Sequence, residues 1–462
     1  MNSKRDLYKR IVTFGAAVIL LGVITGIFAF FWYRYYSEAI VLPYYRRGNW
    51  VLIGIYGLLT ALFFKAYGGF KVGYLKKTDM LYSQSLSMIC VNTVAYLLIS
   101  LIGRHFMNVF PILMMTLADF AFIAVWTFVS GKIFFLLYPP RKLVILYGSR
   151  QAAALVLKMS RRIDKYMICE SVSADEKTEK IKELMQKYEG VIICDLPAEQ
   201  RNDFLKYCFE NSIRAYITPK ISDIMLRSAE EIHLFDTSLL LSRNTGLSAE
   251  QQFCKRAFDI VFSLVFLVVF SPFMLLIALA IRLCDGGPVF FTQDRLTQDG
   301  KVFKLYKFRS MYVNQQPTEY CMTRENDSRI TPVGKIIRNI HFDELPQIIN
   351  ILKGDMSFVG PRPECPDLAA EYQQIVPEFD FRLKMKAGLT GFAQVYGKYN
   401  TTPLDKLKLD LVYIENYSFL LDLKLILLTF KILFQKENTE GIKDWQTSAA
   451  TAENLEKIGK QQ

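Results

Sequence analysis

Four apolar runs, at 11–32, 50–64, 87–102 and 109–137, fill most of the first 140 residues. Runs of this length and composition dictate membrane helices before any other residue is considered. Lys4, Arg5, Lys9 and Arg10 precede the first run, and the 65–77 loop and the exit at Arg141-Lys142 are also rich in Lys and Arg. The intervening loops hold Arg34, Arg46, Arg47 and Arg104. This asymmetry predicts a four-span helical bundle with both ends in the cytoplasm. The first run is too long for a cleavable signal and lacks a small-residue cleavage pattern. Aromatic residues at 30–36 suit an interfacial belt. Asp119, inside the fourth run, reads as a helix-packing contact and is assigned no chemistry.

Composition narrows the partners. Hydrophobic residues make up 52% of the chain, above the soluble norm, and the formal net charge is +12. That charge suits an anionic membrane face and phosphorylated substrates. It is spread along the chain and no nucleic-acid module is present, so nucleic acid is not an expected partner. The eight cysteines form no C-x-x-C, which signals neither structural zinc nor a disulfide framework. His105, His233 and His341 are too far apart in sequence to suggest a metal triad.

Residues 141–247 alternate between short apolar strands and helices. Strands are expected at 143–147, 166–171, 190–194 and 214–217, with helices at 151–161, 179–188 and 199–211. The pattern predicts a small parallel α/β sheet, a Rossmann-like middle module. Gly148 stands alone where G-x-G-x-x-G would bring backbone up to a pyrophosphate. The module is therefore expected to regulate or mediate assembly without a cofactor.

From 248 to 435 the chain reads as an anchor followed by a small α+β catalytic domain. The apolar run 257–281 carries Ser271-Pro272 at its middle, where proline removes a backbone donor. With Lys255 and Arg256 at one end and Arg282 at the other, it is expected to dip into the membrane and return, as a re-entrant helix hairpin. Lys255, Arg256 and Asp259 would then lie at the interface, within reach of a lipid phosphate. Further on, Asp343-Glu344 opens an amphipathic helix whose apolar positions are Leu345, Ile348, Ile349 and Leu352, with Gly354 as its stop. Asp343 is placed at or near the N-cap, where the helix end favours the ionised form. A carboxylate there can cap the helix, attack phosphorus or bind a divalent cation. Lys307 and Arg309 end a strand, as phosphate ligands or as a solvated strand end. Residues 384–391, including Lys384 and Thr390, form a Gly-punctuated loop whose N–H groups can cradle an anion. Residues 417–434 suit the membrane surface, and 436–462 are a polar C-terminal tail.

Several motifs occur in order: K-R-x-F-D at 255–259, the Ser-Pro-broken helix, G-P-V-F-F at 287–291, K-F-R-S-M at 307–311 and D-E-L-P-Q at 343–347. G-D-M-S at 354–357, V-G-P-R-P at 359–363, G-L-T-G-x-A-Q-V at 388–395 and Y-I-x-N-Y-S at 413–418 follow. With them the chain resembles the bacterial sugar transferases, the monotopic phosphoglycosyl transferases that start exopolysaccharide, capsule or O-antigen synthesis, in their long form. The resemblance implies a ping-pong transfer of hexose-1-phosphate from a UDP-sugar to undecaprenyl phosphate, with UMP released. It makes Asp343 the nucleophile, Glu344 the Mg²⁺ ligand, and Arg362, Lys307, Arg309 and Arg338 the phosphate clamp. It also puts Lys255 and Arg256 at the lipid phosphate. It implies a bacterial inner-membrane location with the catalytic part on the cytoplasmic face, and a homo-oligomer is compatible with it. Four positions depart from the family pattern: Ala387 where proline is usual, Thr297 where glycine is common, and His341-Phe342 before the dyad. A membrane scaffold that binds a nucleotide sugar without turning it over is the rival reading, against which the joint presence of Asp343, Glu344 and Arg362 counts.

Overall fold

The computed structural model describes residues 3–40, 42–44, 46–148, 151–160, 162–242, 246–312, 329–397 and 401–433. The expected tail at 436–462 and the turn residues Ser149-Arg150 lie outside them. The chain divides into two compact units, Met1–Thr218 and Pro219–Gln462.

The first unit begins with four long helices: α1 (Ser3–Phe31, running on as a wider turn to Tyr36), α2 (Arg46–Tyr67), α3 (Lys77–Gly103) and α4 (Phe110–Leu137). Each packs on two others, α1 on α2 and α4, and α3 on α2 and α4. Leu20, Ile24, Phe28, Tyr56, Met88, Ile99, Met115 and Ile123 fill the centre. The buried polar groups answer one another. Tyr56 donates to Asn92 at 2.7 Å, and the Asn92 amide donates to Asp119 at 3.0 Å, so Asp119 makes the packing contact its sequence position suggested. By length and composition α1–α4 can each cross a membrane, as can one later helix.

A parallel sheet follows, built from β1 (Arg141–Tyr147), β2 (Tyr166–Ser173), β3 (Gly190–Cys194) and β4 (Arg214–Ile217) in the order β2-β1-β3-β4. The connecting helices are α5 (Gln151–Ser160), α6 (Thr178–Lys187) and α7 (Ala198–Glu210). The expected small parallel α/β sheet is present. β1 and β3 are buried apolar runs because helices cover both faces of a parallel sheet. Gly148 has a packing explanation: a Cβ there would lie 2.6 Å from the Asp195 carbonyl.

The second unit starts earlier than the 247/248 boundary expected from composition. α8 (Ile221–Arg227) packs on α14 (Pro403–Glu415), and Ile224 is buried in the core of this unit. An antiparallel hairpin of β5 (Glu230–Leu234) and β6 (Thr237–Leu241) leads to α9 (Ala249–Asp285). Ser248 caps α9, and the Gln251 side chain bonds back to the Ser248 amide, a reciprocal capping box. Beyond α9 come the antiparallel pair β7 (Phe290–Leu296) and β8 (Val302–Phe308), α10 (Pro332–Asn339), α11 (Gln347–Lys353), β9 (Met356–Val359) and α12 (Pro366–Ile375). β10 (Ala387–Thr390) pairs parallel with β9, and α13 (Phe392–Tyr396), α14 and α15 (Phe419–Leu433) complete the unit.

α9 runs for 37 residues without interruption, where two helices broken at Pro272 were expected. Proline at 272 deprives the Val268 carbonyl of its usual i+4 donor. The Ser271 hydroxyl donates to that carbonyl at 3.1 Å, and the helix continues. One face of α9 packs on the domain along its whole length. Phe258, Phe262 and Phe266 surround Phe358, Phe270 meets Phe342, and Met274, Ile277, Ala278 and Ile281 join Phe308 and Ile337. The other face, with Val261, Leu264, Val265, Val268, Leu275, Leu276, Leu279 and Leu283, is exposed and apolar.

Candidate active site

The dyad sits on a turn. After α10 the chain reverses at His341, whose φ of 55° is left-handed, and Phe342–Glu344 form one 3₁₀ turn. α11 starts only at Gln347, with Pro346 in the cap position. The expected N-cap role of Asp343 is thus corrected: two residues and a proline separate it from the first turn of α11. The proline offers no N–H to cap, and the tight turn is held instead by Glu344 N–H to the His341 carbonyl at 3.3 Å. Phe342 pins the turn by packing against Phe270 of α9, with ring centres 6.3 Å apart. Gly354 ends α11 with φ 94°, as expected. Asn350 stitches α11 to β8 by accepting from Tyr306 N–H and donating to the Lys304 carbonyl.

Around the dyad, Glu344 Oε1 accepts from Lys307 of β8 at 2.8 Å and from Arg362 at 3.2 Å. Arg362 lies on the loop after β9. Arg382 donates to the Arg362 carbonyl at 2.8 Å, and Arg295 donates to the Pro363 carbonyl at 3.1 Å. Arg382 is itself buried between Glu364 at 3.3 Å and Asp410 at 2.8 Å, and Lys406 reaches Glu364 at 2.7 Å. A charged network thus sets the backbone that presents Arg362.

The two neighbouring carboxyls are driven apart electrostatically. Burial raises Asp343 above the usual aspartate range, assisted by the Glu344 charge and opposed by Lys307, Arg338 and His341. Burial also works against ionised Glu344, but Lys307 and Arg362 outweigh it and hold Glu344 well below the usual range. One carboxylate is locked as an anion and the other is poised, the division of labour that acid–base and nucleophilic sites use.

Of the expected site residues, Asp343, Glu344, Lys307 and Arg362 come together, and Arg338 acts on Asp343 through its charge. The others have different work. Arg309 is buried, donating to both oxygens of Asp285 and to the Pro288 carbonyl. It latches the end of α9 to the domain and does not face phosphate. Lys255 is buried too, donating to Asp422 at 2.6 Å and to Tyr413 at 3.1 Å. Arg256 caps the last carbonyls of α11, Ile351 at 2.6 Å and Leu352 at 2.7 Å. Asp259 accepts from the Ser357 hydroxyl and the Phe358 N–H. Lys255 and Asp259 are buried and Arg256 is half-buried, and the contacts of all three anchor α9 to the domain. Lys384 lines a separate cavity of about 220 Å³ with Ser228, Glu230, Gln251 and Glu415. Thr390 shares a hydrogen bond with Thr429 at 2.6 Å.

Residues 250–436 match the model of the family described as bacterial sugar transferase. An exopolysaccharide production protein, PSS, of Rhizobium leguminosarum is 41% identical over 181 residues, covering 37% of this chain and 90% of that protein. The chain belongs to the bacterial sugar transferase family. The UDP-glucose:undecaprenyl-phosphate glucose-1-phosphate transferase of Escherichia coli is 41% identical over 191 residues, 40% of this chain and 41% of that protein. The UDP-N-acetylgalactosamine-undecaprenyl-phosphate N-acetylgalactosaminephosphotransferase of Aeromonas hydrophila is 35% identical over 233 residues, 50% of this chain and 54% of that protein. The alignments with these last two thus cover only about half of each relative's length. The dyad, Lys307 and Arg362 all fall inside the family match, whereas α1–α4 and the parallel sheet fall outside it.

Proposed function

We propose that this bacterial sugar transferase moves a hexose-1-phosphate from a UDP-sugar to undecaprenyl phosphate, with Asp343 as nucleophile. The observation that carries this is the half-buried Asp343 beside a Glu344 whose charge Lys307 and Arg362 neutralise. An Asp343 oxygen forms a bond to the sugar-bearing phosphorus while the bond to the bridging oxygen breaks, and UMP leaves with the electron pair. An oxygen of undecaprenyl phosphate then attacks the same phosphorus and expels the Asp343 carboxylate. No net proton is required. Lys307 and Arg362 offer the charge that phosphate oxygens need, because donors already in position stabilise developing charge without reorganising.

The donor set fits Mg²⁺. Lys307 and Arg362 both contact Oε1 of Glu344, so Glu344 would hold the ion through its other oxygen, beside the Asp343 carboxyl. Mg²⁺ takes one or two carboxylates and completes its shell with water and substrate phosphate. Bound there, it would neutralise the diphosphate.

Both ends of α9 are fastened to one polar domain, by Lys255–Asp422 and Arg256 at the start and by Asp285–Arg309 at the end. A 37-residue helix is about 55 Å long if straight, against about 30 Å of hydrocarbon. A helix crossing the bilayer would leave its two ends on opposite faces, so this fastening supports an unbroken α9 held at one membrane face with its exposed apolar side in that leaflet. On this reading α1–α4 are the spans, and the catalytic domain faces the cytoplasm of a bacterial inner membrane, where nucleotide sugars are. Purified protein given Mg²⁺, undecaprenyl phosphate and a panel of UDP-glucose, UDP-galactose and UDP-N-acetylhexosamines tests the proposal. Release of UMP dependent on the lipid is expected with one of them, and absence of release with all would overturn it.

A further inference from the structure

Remote from the chemistry, four cations converge where the ends of α1 and α4 meet the α2–α3 loop and the turn before β2. The Lys165 ammonium lies 4.1 Å from the centre of the Tyr74 ring, and the Lys9 ammonium lies 5.5 Å from the same ring. Lys9 is also 5.2 Å from Phe134 and 5.5 Å from Tyr138. Arg162 donates to the Tyr74 carbonyl at 2.9 Å and pairs with Asp164 at 2.8 Å. Lys71, on the same loop as Tyr74, is exposed and acts on Lys165 through its charge. Among the described residues, no carboxylate lies within ion-pair distance of Lys165 or Lys71. Among the described residues, Asp164 is engaged by Arg162, and Asp79 acts on Arg162 through its charge.

The arrangement is electrostatically incomplete. Burial pushes Lys165 down to about 8, and the charges of Arg162, Lys9 and Lys71 add to that against Asp164 alone. The cluster lies at the ends of helices apolar enough to span a membrane, beside Tyr74, which is 55% exposed. Aromatic rings with lysines at that level are the composition of the headgroup layer.

We propose that Lys165, Lys71 and Arg162, with Tyr74 as their platform, bind a phosphate group at this junction, carried by an anionic phospholipid headgroup or by free phosphate. The full-length protein in neutral detergent is titrated with short-chain phosphatidylglycerol, short-chain phosphatidylcholine or inorganic phosphate, and thermal unfolding is followed. A saturable stabilisation by phosphatidylglycerol but not phosphatidylcholine is expected. A response to phosphatidylglycerol alone identifies the lipid headgroup, and an equal response to inorganic phosphate identifies the free group. Lys165→Gln and Lys71→Gln should each weaken binding about fivefold, and Lys165→Arg should retain it. Both lysines lie at the surface of the junction, and Lys165→Arg separates loss of charge from any loss of packing. A phosphate or lipid response that Lys165→Gln and Lys71→Gln leave unchanged arises elsewhere and overturns the proposal, as does the absence of any response.

Discussion

Replacing Lys255 separates two roles that its place in the K-R-x-F-D motif allows. The Lys255 and Asp422 side chains are 7% and 2% exposed, and their charged atoms are 2.6 Å apart. Lys255→Met leaves a buried carboxylate whose remaining partner is the Tyr413 hydroxyl at 2.7 Å. Removing one member of a buried pair costs about 3–5 kcal/mol. For a unit of this size that is a loss of roughly 6–20 °C in melting temperature. Burial already raises Asp422, and Lys255 is the main force pulling it back. In the variant the folded-state value rises further, so the protonated form is favoured in the folded state. The cost is then least below the unfolded value of about 4 and grows as pH rises through the folded value. The stability gap between Lys255→Met and the parent should therefore widen as pH rises above about 4. Lys255→Met/Asp422→Leu should recover most of the loss, since no lone charge remains. Melting curves of detergent-purified protein, with KM for undecaprenyl phosphate measured in parallel, provide the test. A variant as stable as the parent but with a raised KM for the lipid would refute the anchoring argument and return Lys255 to the lipid phosphate.

Asp343→Asn should lower UMP release by at least about a thousandfold, because the nucleophile is gone. It should also stabilise the fold at neutral pH: the Asp343 value is raised on folding, so its ionised form is the unfavourable one there and the amide removes that charge. The acid limb of the parent's pH–rate profile should lie above the ordinary aspartate range, with rate lost as pH falls through it; a limb near about 4 would contradict the burial argument. A chain shortened to begin at Pro219 should fold and keep its chemistry, whereas one beginning at Ser248 loses Ile224 from the core and should melt lower; equal melting would disprove that α8 belongs to this unit. Cys254 and Cys284, exposed near the two ends of α9, should both escape an impermeant thiol reagent on intact cells and both react in inverted vesicles. Labelling of Cys284 alone from outside, read by mass spectrometry, would show that α9 spans.

Much of this architecture was legible because its cause is local. The stripe of Leu345, Ile348, Ile349 and Leu352 and the stop at Gly354 foretell α11, and the strand–helix alternation foretells the parallel sheet. Its exact start was not legible, because a left-handed His341 and a 3₁₀ turn depend on Phe342 packing against α9. The charged motif residues show the same limit. Lys307 and Arg362 meet Glu344, but Arg309 and Lys255 have acidic partners 24 and 167 residues away. A base in a motif reads as a phosphate ligand until its partner is known, and no periodicity reveals a partner at that distance. The Arg382–Glu364–Asp410–Lys406 network behind Arg362 was missed for the same reason.

The departures at 297 and 387 turn out to be one feature. The Ala387 N–H, which a proline would lack, donates to the Thr297 hydroxyl at 3.2 Å, and a glycine would lack that acceptor. The hydroxyl in turn donates to the Asp355 carbonyl at 2.7 Å, next to the end of α11. Thr297 and Ala387 are 7% and 4% exposed, so water cannot replace either partner freely. Thr297→Gly should strand the Ala387 N–H and cost about 1–3 kcal/mol, the penalty of an unsatisfied buried donor. Ala387→Pro alone should cost about 1 kcal/mol for the lost bond to Thr297, which keeps its own bond to Asp355. The double variant removes donor and acceptor together. It should be more stable than the sum of the single losses predicts, with a coupling of about 1 kcal/mol or more, because contacting residues are not additive. Melting curves for the four members of this cycle measure the coupling. Strict additivity would show that the hydrogen bond between them carries no stability.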